Sequence, residues 1–240
     1  MNRLLIIVSG VFILSSCHYF HGGERIRGNG NIKTEKRTAG VFNSVEVSGA
    51  IDVYVKQDSA RSISIETDEN LLPYIEVRND GDQLIISPKE GYNPDPSHAI
   101  KVYVSSPVFN GLEASGASKM VGENIITSSD AMHIHVTGAS DAGLELKSPK
   151  VSVELSGAST MTLKGETKDL SVGASGASHI KAFDLLAENA DVDVSGASNA
   201  EIFASVKLSA TASGASDVRY KGNAAVSQNE SGASSVKKAE

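Results

Sequence analysis

Residues 151–163 read VSVELSGASTMTL, and this stretch contains the pattern that predicts the fold. Apolar residues alternate with polar ones on both sides of a central Ser-Gly-Ala-Ser tetrapeptide. A period of two is typical of β-strands with one buried face, because successive side chains of a strand point to opposite sides. The stretch therefore predicts two strands joined at a corner of small residues, with Val153 facing the core and Ser152 facing solvent.

The tetrapeptide recurs along the chain at a nearly constant spacing. Its copies begin at Ser115, Thr137, Ser156, Ser175, Ser195, Ser213 and Ser231. The gaps between them are 22, 19, 19, 20, 18 and 18 residues, and a degenerate copy begins at Ser48. Such a unit is too short for a strand, a helix and their loops, so it predicts one coil of a β-solenoid. The expected fold is an all-β parallel β-helix with about 19 residues per coil and an SGAS motif at each corner.

The alternation continues through the tetrapeptide and puts Gly157 and Ser159 in phase with the inner side of the coil, unless a tight corner resets that phase. Glycine suits a point where the chain bends sharply or where backbones approach closely. We expect the stacked serine hydroxyls to satisfy one another. In the last unit Gln228 and Glu230 occupy core positions, which indicates a polar end that protects the open edge from pairing with another chain.

Residues 1–16 have the features of a bacterial lipoprotein signal peptide. Arg3 precedes an eleven-residue, largely apolar run over 4–14, which is too short to cross a membrane but matches a signal-peptide core. The run ends in LSSC at 14–17, which resembles a lipobox. Cys17 is therefore the predicted lipidation site, and an ordinary signal peptide with an incidental cysteine is the alternative.

This interpretation divides the chain into three parts. After the signal peptide of residues 1–16, residues 17–30 are expected to be the lipidated cysteine and a flexible tether. Residues 31–240 are expected to form one β-helix domain, less regular over 31–110 and built of SGAS repeats over 111–240. The predicted partner is a membrane, through the lipid anchor. The predicted location is the cell envelope, as an outer-membrane lipoprotein facing either the periplasm or the outside. The oligomeric state stays open.

Composition limits the partners further. The chain has a net charge of −7, and removal of the signal peptide removes only Arg3, leaving 21 basic and 29 acidic residues, a net charge of −8. Such acidity argues against nucleic acid and anionic headgroups as partners. Aromatic residues make up 5% and tryptophan is absent, so aromatic residues for stacking on sugars are sparse.

Three segments in order resemble one known family. They are GNGNIKTEKRTAGVFNSVEVSGAIDVYVKQ at 28–57, ETDENLLPYIEV at 66–77 and the SGAS units that follow. Together they resemble the auto-transporter adhesin family with a head GIN domain, over nearly all of the mature chain. The resemblance implies a right-handed β-helix of the pectin-lyase type, export in Gram-negative bacteria and a role in adhesion. The family has no established catalytic residues to carry over.

The repeated serines do not form a nucleophile motif. A nucleophile elbow requires Gly-x-Ser-x-Gly at a strand-to-helix turn, with a histidine and an acid elsewhere. The segment GASGAS at 173–178 departs from this pattern, because Ala177 occupies the position of the second glycine. Seven equivalent serines also cannot each have a base in a chain with six histidines. The corner interpretation is therefore favoured.

Asp191 and Asp193 are the best candidates for chemistry on carbohydrate. They face the same outward side, and clustered carboxylates bind Ca²⁺ or act as acid and base in polysaccharide-cleaving enzymes. Their aligned neighbours in the adjacent coils are Ser171, Gly173, Ser209 and Thr211. Because no further carboxylate joins the pair, a solvated strand face is favoured over an active site.

His133 and His135 are the candidates for metal binding. They also alternate on one outward face, and the next coil offers Ser152 and Glu154. This set makes at most a three-ligand site, whereas a closed zinc site has four ligands and a catalytic one at least three. No metal or other cofactor is therefore predicted.

The leading hypothesis is an exported, lipid-anchored β-solenoid with a non-enzymatic binding or adhesion role at the cell envelope. Its ligand would be a glycan or a protein. One alternative is a pectin-lyase-like lyase or hydrolase of polysaccharides that uses the loop at 91–99 and the face of Asp191. The other is a purely structural scaffold of the envelope.

Overall fold

The computed structural model describes residues 23–239, of which 65% belong to β-strands and 3% to a helix. In chain order the elements are β1 (Glu24–Arg27), β2 (Ile32–Arg37), β3 (Ser44–Val47), β4 (Ile51–Gln57), β5 (Ser62–Asp68), a 3-10 helix (Glu69–Tyr74), β6 (Ile75–Asp80), β7 (Gln83–Pro88), β8 (Tyr92–Asp95), β9 (Ile100–Ser106), β10 (Gly111–Ala114), β11 (Lys119–Gly122), β12 (Ile126–Thr127), β13 (Met132–Val136), β14 (Asp141–Leu155), β15 (Thr160–Ala174), β16 (His179–Val194), β17 (Asn199–Ala212), β18 (Asp217–Lys221), β19 (Ala225–Glu230) and β20 (Ser235–Lys238).

Strands β14 to β17 form the regular part of a parallel solenoid of about six turns. Each of these strands runs through almost a whole coil, and equivalent residues of successive coils pair in parallel. Val153, for example, lies beside Val172, which lies beside Val192. Because equivalent positions stack, the inward residues of every coil join one continuous apolar core. The predicted parallel β-helix is confirmed.

The glycine of each corner is exposed, so its predicted inward position is wrong. Gly157 has φ +77, in the left-handed region that side chains rarely adopt, and a Cβ there would lie 2.3 Å from the carbonyl oxygen of Gly138 in the preceding coil. The left-handed turn rotates the glycine outward and interrupts the alternation at that residue alone, since Leu155, Ser159 and Met161 are buried on either side of it. The backbones of successive coils do approach closely at the corner, which is the reason predicted for glycine there.

The second serine of the corner is buried, as predicted, but its hydroxyl bonds to backbone and not to another serine. Ser159 Oγ donates to the carbonyl oxygen of Ser156 at 2.9 Å, three residues earlier. Ser178 Oγ donates in the same way to Ser175 at 2.6 Å and accepts no bond from a stacked hydroxyl. The expected serine ladder is therefore wrong, because the hydroxyls donate to carbonyls within their own corners, as those of Ser118, Ser159, Ser178, Ser216 and Ser234 do.

The N-terminal part combines parallel coils with antiparallel strands. β3 and β4 pair in parallel with β10 and β11 on one side and with β7 and β9 on the other, so the degenerate copy at Ser48 is a true corner. β5 runs antiparallel between β9 and β2, and β6 runs antiparallel to β7. Leu71 and Leu72 of the 3-10 helix are buried beneath these strands. The antiparallel strands thus cover the edge of the first parallel coil.

Residues 24–27 belong to the folded domain, so the expectation of a flexible tether over 17–30 is wrong for them. They form β1, which pairs in parallel with β8. The side chain of Arg25 lies 2.9 Å from the carboxylate of Asp95. The pairing also means that the loop predicted at 91–99 contains a strand.

The last coil has the polar character that its sequence predicts. Gln228 and Glu230 stand in register with Ala210 and Ala212 of the preceding coil, and all of β19 is exposed. A carboxylate oxygen of Glu230 accepts a hydrogen bond from the backbone N–H of Val236 at 2.9 Å. Glu230 therefore occupies a backbone group that another strand would otherwise use.

The predicted signal peptide and Cys17 lie outside the described residues. Within residues 23–239, no helix has the length and apolar character needed to span a bilayer.

Candidate functional site

Each regular coil presents three outward faces. In the coil that starts at corner 156–159, residues 160–164 form what we call the mixed face, 165–169 the groove face and 170–174 the acidic face. Equivalent faces of neighbouring coils stack along the solenoid axis. A site on this fold is therefore a set of positions repeated across coils, about 4.8 Å apart.

The acidic face carries both candidate pairs from the sequence. One line of stacked outward positions comprises Glu113, His135, Glu154, Gly173, Asp193 and Thr211. Because Gly173 has no side chain, the face is concave there, with a depression of about 510 Å³. Glu154, Asp191 and Asp193 line this depression.

Asp191 and Asp193 have the neighbours that the sequence alignment of coils predicts. Ser171 and Gly173 pair with them on one side, and Ser209 and Thr211 on the other. The nearest carboxylate along the line, Glu154, is two coils from Asp193, which corresponds to about 10 Å. No Lys or Arg lines the depression to serve as the base of a lyase. The depression therefore resembles an acidic binding surface more than the paired general acid and base of a polysaccharide-cleaving enzyme.

His135 lies between two carboxylates, one of which the sequence reasoning missed. Glu154 pairs with it in the following coil, as predicted, and Glu113 pairs with it in the preceding coil. The sequence could have shown this neighbour, because Glu113 and His135 lie 22 residues apart and each stands two positions before its SGAS copy. Among residues 23–239, no three His, Cys, Asp or Glu side chains come together in a way that could hold a metal ion.

A further polar cluster, also missed from the sequence, lies at the N-terminal end. The buried carboxylate of Asp68 accepts hydrogen bonds from the N–H of Gly30 at 2.6 Å and from the N–H and hydroxyl of Ser97 at 2.9 and 2.8 Å. The Ser97 hydroxyl also lies 3.1 Å from Nδ1 of His98. Burial raises the pKa of Asp68, but the hydrogen bonds from Ser97 and Gly30 outweigh it and lower that pKa below its usual value.

The hydrogen bonds of this cluster do not link the acid, histidine and serine in the order of a catalytic triad. In a triad the acid orients the histidine, whereas Asp68 bonds directly to the serine and has no hydrogen bond to His98. The carboxylate instead joins two segments that are distant in sequence. Its role is to hold the N-terminal strand and the loop before β9 against the domain.

Differences in coil length are confined to one side of the solenoid. The offset between paired residues of the first two regular coils is 22 at Lys119, 20 at Ile126 and 19 at Met132. The next interface keeps a constant offset of 19 residues, and in the two that follow the offset changes only between Thr162 and Lys164 and then between Ala182 and Asn189. The corners and the acidic face keep their register, so every insertion or deletion falls at or beside the groove face. In repeat proteins, insertions of this kind often mark the binding face.

The unequal coils leave a groove of about 640 Å³ on that face. One end is formed by Thr127 and Ser128 of the longest coil, and the opposite end by Phe203 and Ser205. Leu186, in a coil one residue longer than the one before it, is 50% exposed at the side of the groove. The groove thus combines a concave shape with exposed apolar carbon from Leu186 and Phe203.

Comparison with known proteins matches the family predicted from the sequence. The family profile described as "Putative auto-transporter adhesin, head GIN domain" matches residues 41–224, more than half of the chain. The chain belongs to this family. The description is that of an extracellular or cell-envelope protein with a binding role and names no enzyme activity. Comparison with curated proteins found no match.

Solved structures share the fold. A putative adhesin from Bacteroides fragilis is 21% identical, with a TM-score of 0.84 over 89% of this chain and all of its own. A "putative lipid binding protein" from Parabacteroides distasonis is 23% identical, with a TM-score of 0.72 over 90% of this chain and all of its own. A putative adhesin from Parabacteroides merdae is 24% identical, with a TM-score of 0.69 over 91% of this chain and all of its own. At these identities the likeness shows the fold alone.

Proposed function

We propose that the chain is a lipid-anchored, non-enzymatic binding protein of the bacterial cell envelope. The observation that carries the binding role is the confinement of coil-length differences to the groove face and the adjoining part of the mixed face, while the corners and the acidic face keep their register. Variation of coil length on one side of an otherwise regular stack shapes a surface for binding. The family description and the names of two structural neighbours as adhesins support the same role.

Anchoring rests on Cys17 and the apolar run before it. Acylation of this cysteine after signal cleavage would leave a short segment between the lipid and β1. Each buried methylene contributes about 0.8 kcal/mol to membrane affinity, and more than one chain is needed for a stable anchor. We propose the outer membrane as the location.

Metabolic labelling with an alkyne fatty acid tests the anchor. The wild type should incorporate label and partition into the membrane fraction, whereas Cys17→Ala should do neither. A Cys17→Ala chain that is still acylated would contradict the anchor. Protease treatment of intact cells then separates surface display, in which the domain is digested, from a periplasmic position, in which it is protected.

Binding is tested with cells that display the wild type or lack the protein. We expect the displaying cells to adhere to glycan or protein surfaces above the level of the cells without it. Release of unsaturated oligosaccharides from an acidic polysaccharide, lost in Asp191→Asn, would instead establish a polysaccharide lyase. If both kinds of cell adhere equally and their envelopes do not differ, a binding role is contradicted. If they adhere equally but the cells without the protein have a weakened envelope, a scaffold is favoured.

A further inference from the structure

We propose that the groove face binds an extended polypeptide segment of another protein, which lies along the solenoid axis and presents an acidic, a basic and an apolar side chain in that order. This inference rests on the proposed binding function and adds the chemical class of the ligand. It is carried by the shape of the groove, by two charges without partners in its middle and by apolar side chains at one end.

The groove runs across the strands between two rows of outward side chains. Ser148, Thr167 and Ala187 pair in register and are buried, so they form its floor. The side chains that border the floor are two positions apart in each strand, which places the two rows about 7 Å from each other. An α-helix with its side chains is about 10–12 Å across. The groove is therefore wide enough for an extended chain and too narrow for a helix.

The length of the groove corresponds to a short peptide segment. Its lining comes from five successive coils between Thr127 and Ser205. Four spacings of about 4.8 Å give a length of about 19 Å along the solenoid axis. An extended polypeptide rises about 3.3 Å per residue, so about six residues span the groove. Because alternate side chains share a face, about three of them point toward the solenoid.

Two charged side chains in the middle of the groove have no ion-pair partner. Lys147 and Glu166, in adjacent coils, form an ion pair of 3.3 Å. Lys168 and Glu188 are exposed and line the same groove, but within residues 23–239 neither takes part in an ion pair. They also lie in adjacent coils, so a ligand along the axis meets a cation and then an anion. A ligand that satisfies both carries an acidic and a basic group.

The lining becomes apolar on the far side of Glu188. Leu186 is 50% exposed and Phe203 is half-buried, and both line the groove there. Burial of such carbon surface against an apolar side chain favours binding. The ligand should therefore carry an apolar group next to its basic one.

The backbone at this end has interrupted strand pairing. Two pairs of residues flank the interruption, Ala182 with Ile202 and Ala187 with Ala204. Residues 183–186 of β16 thus stand opposite the single residue Phe203 of β17. A bulge of this kind leaves backbone groups of the longer strand outside the ladder. Those N–H and C=O groups can form hydrogen bonds with the main chain of a peptide, which is a common basis of peptide recognition.

A polypeptide suits this lining better than a lipid, a neutral glycan or a second copy of the chain. The charges stand in the middle of the groove, where a lipid would place its hydrocarbon. A neutral glycan has neither an ammonium nor an apolar side chain. The net charge of −7 opposes the approach of two copies. A polypeptide combines a carboxylate, an ammonium and an apolar group on one narrow chain and can be neutral overall.

Six synthetic peptides of equal composition test the order of the side chains. Each is a capped heptapeptide with glutamate, lysine and leucine at alternate inner positions, in one of the six possible orders, and with threonine elsewhere. Threonine favours an extended backbone, and all six peptides are neutral overall. Binding is measured by fluorescence polarisation on the full chain with Cys17→Ala, so that no covalent lipid competes for the groove.

The peptides with lysine in the centre should bind best, because Glu188 lies between Lys168 and Phe203. Two of the six orders have this property and fit the groove in one direction or the other. We expect both to bind at least about tenfold more tightly than the remaining four, which place like charges or an apolar group against a charge. Equal binding of all six peptides, or binding of none, would overturn the inference.

An exchange of charges within the groove should change the preferred order. In the double variant Lys168→Glu and Glu188→Lys, the peptides with glutamate in the centre should bind best, whereas a purely structural role of these residues would weaken all six alike. The control is Lys36→Glu with Glu76→Lys, because both residues are exposed on strands outside the groove. The control should keep the preference of the parent chain. An unchanged preference in the groove variant would show that the peptides bind elsewhere and would overturn the inference.

The apolar contact is tested by Leu186→Ser. This variant should weaken both lysine-centred peptides about fourfold or more, the equivalent of at least one methylene group left uncovered. Val41→Ser is the matched control, since Val41 is 70% exposed outside the groove, and it should bind like the parent chain. Equal binding by Leu186→Ser and the parent chain would contradict the apolar contact and with it the assigned order. Matched thermal unfolding of the variants shows that a loss of binding is not a loss of folding.

The remaining outcomes separate this inference from the proposed function. A neutral oligosaccharide that binds where no peptide does, and whose binding is lost in the charge-exchanged variant, would assign the groove to a glycan. Self-association that the same variant abolishes would assign it to a second copy, and either result overturns the inference. Adhesion of cells without order-selective peptide binding would contradict the peptide site alone. Selective peptide binding without adhesion or surface display would contradict the proposed function alone.

Discussion

The corner glycine gives the sharpest test of how the solenoid is held together. At Gly157 the backbone has φ +77, and a Cβ would meet the carbonyl oxygen of Gly138 at 2.3 Å and its nitrogen at 3.0 Å. The substitution Gly157→Val therefore combines a forbidden backbone conformation with a collision between coils. Gly173 offers the same substitution without either problem, because it lies in the extended strand β15 and its Cβ would meet only Glu154, at 4.0 Å.

The expected loss follows from three contributions. The left-handed conformation costs an L-residue about 1–2 kcal/mol. Overpacking typically costs about 1–3 kcal/mol. Separation of the coils would also weaken the 2.7 Å hydrogen bond from the N–H of Ala158 to Gly138, which contributes about 1 kcal/mol. We expect Gly157→Val to lose about 3–6 kcal/mol, a large part of the 5–15 kcal/mol that stabilises a typical domain.

Urea unfolding followed by circular dichroism measures this difference. Gly173→Val should stay within about 0.5 kcal/mol of the wild type, as should Ser156→Ala, which removes a hydroxyl on the half-buried side of the corner. Equal midpoints for Gly157→Val and Gly173→Val would refute the reasoning, because they would show that coils do not need backbone contact at the corner.

Two further predictions concern the ends of the solenoid. The pKa of Asp68 is lowered in the folded chain because hydrogen bonds from Ser97 and Gly30 outweigh the effect of burial. The ionised carboxylate therefore stabilises the fold above the usual carboxyl pKa, and this stabilisation is lost as the pH falls through the pKa of the folded chain. Asp68→Asn should therefore be less stable than the wild type at pH 7, with a difference that narrows toward pH 3 in thermal unfolding; a constant difference would contradict this. At the other end, the double variant Gln228→Val and Glu230→Val should form concentration-dependent oligomers in light scattering, because it exposes an apolar edge strand. Its control, two valines at outward positions of β19, should remain as the wild type, and equal oligomerisation of both would show that the inward polar residues do not protect the edge.

Much of the fold could be predicted because every coil of a solenoid repeats the same local sequence pattern. Alternation around Val153 set the strand faces, and the spacing of the SGAS copies gave the number and register of coils. The neighbours of Asp191 and Asp193 followed from counting alone, since stacked coils preserve sequence position. Local periodicity was sufficient wherever each coil meets only the next one.

Predictions were wrong where contacts depend on atoms of the backbone. The outward turn of the corner glycine depends on its left-handed φ, which alternation does not encode. The hydroxyl of Ser159 bonds within its corner, because a carbonyl three residues away is nearer than the next hydroxyl. Residues 24–27 read as a polar tether, and only the edge offered by β8 makes them a strand.

The strands, the corners, the stacking of outward residues and the family could all be predicted from the sequence alone. The place where differences in coil length are accommodated became visible only in the folded solenoid. Gaps of 18 to 22 residues are visible in the sequence, but they do not show which face absorbs the extra residues. Backbone hydrogen bonds between coils keep the corners and the acidic face in register, so the remaining side must bulge or contract. That physical constraint creates the groove between Thr127 and Ser205.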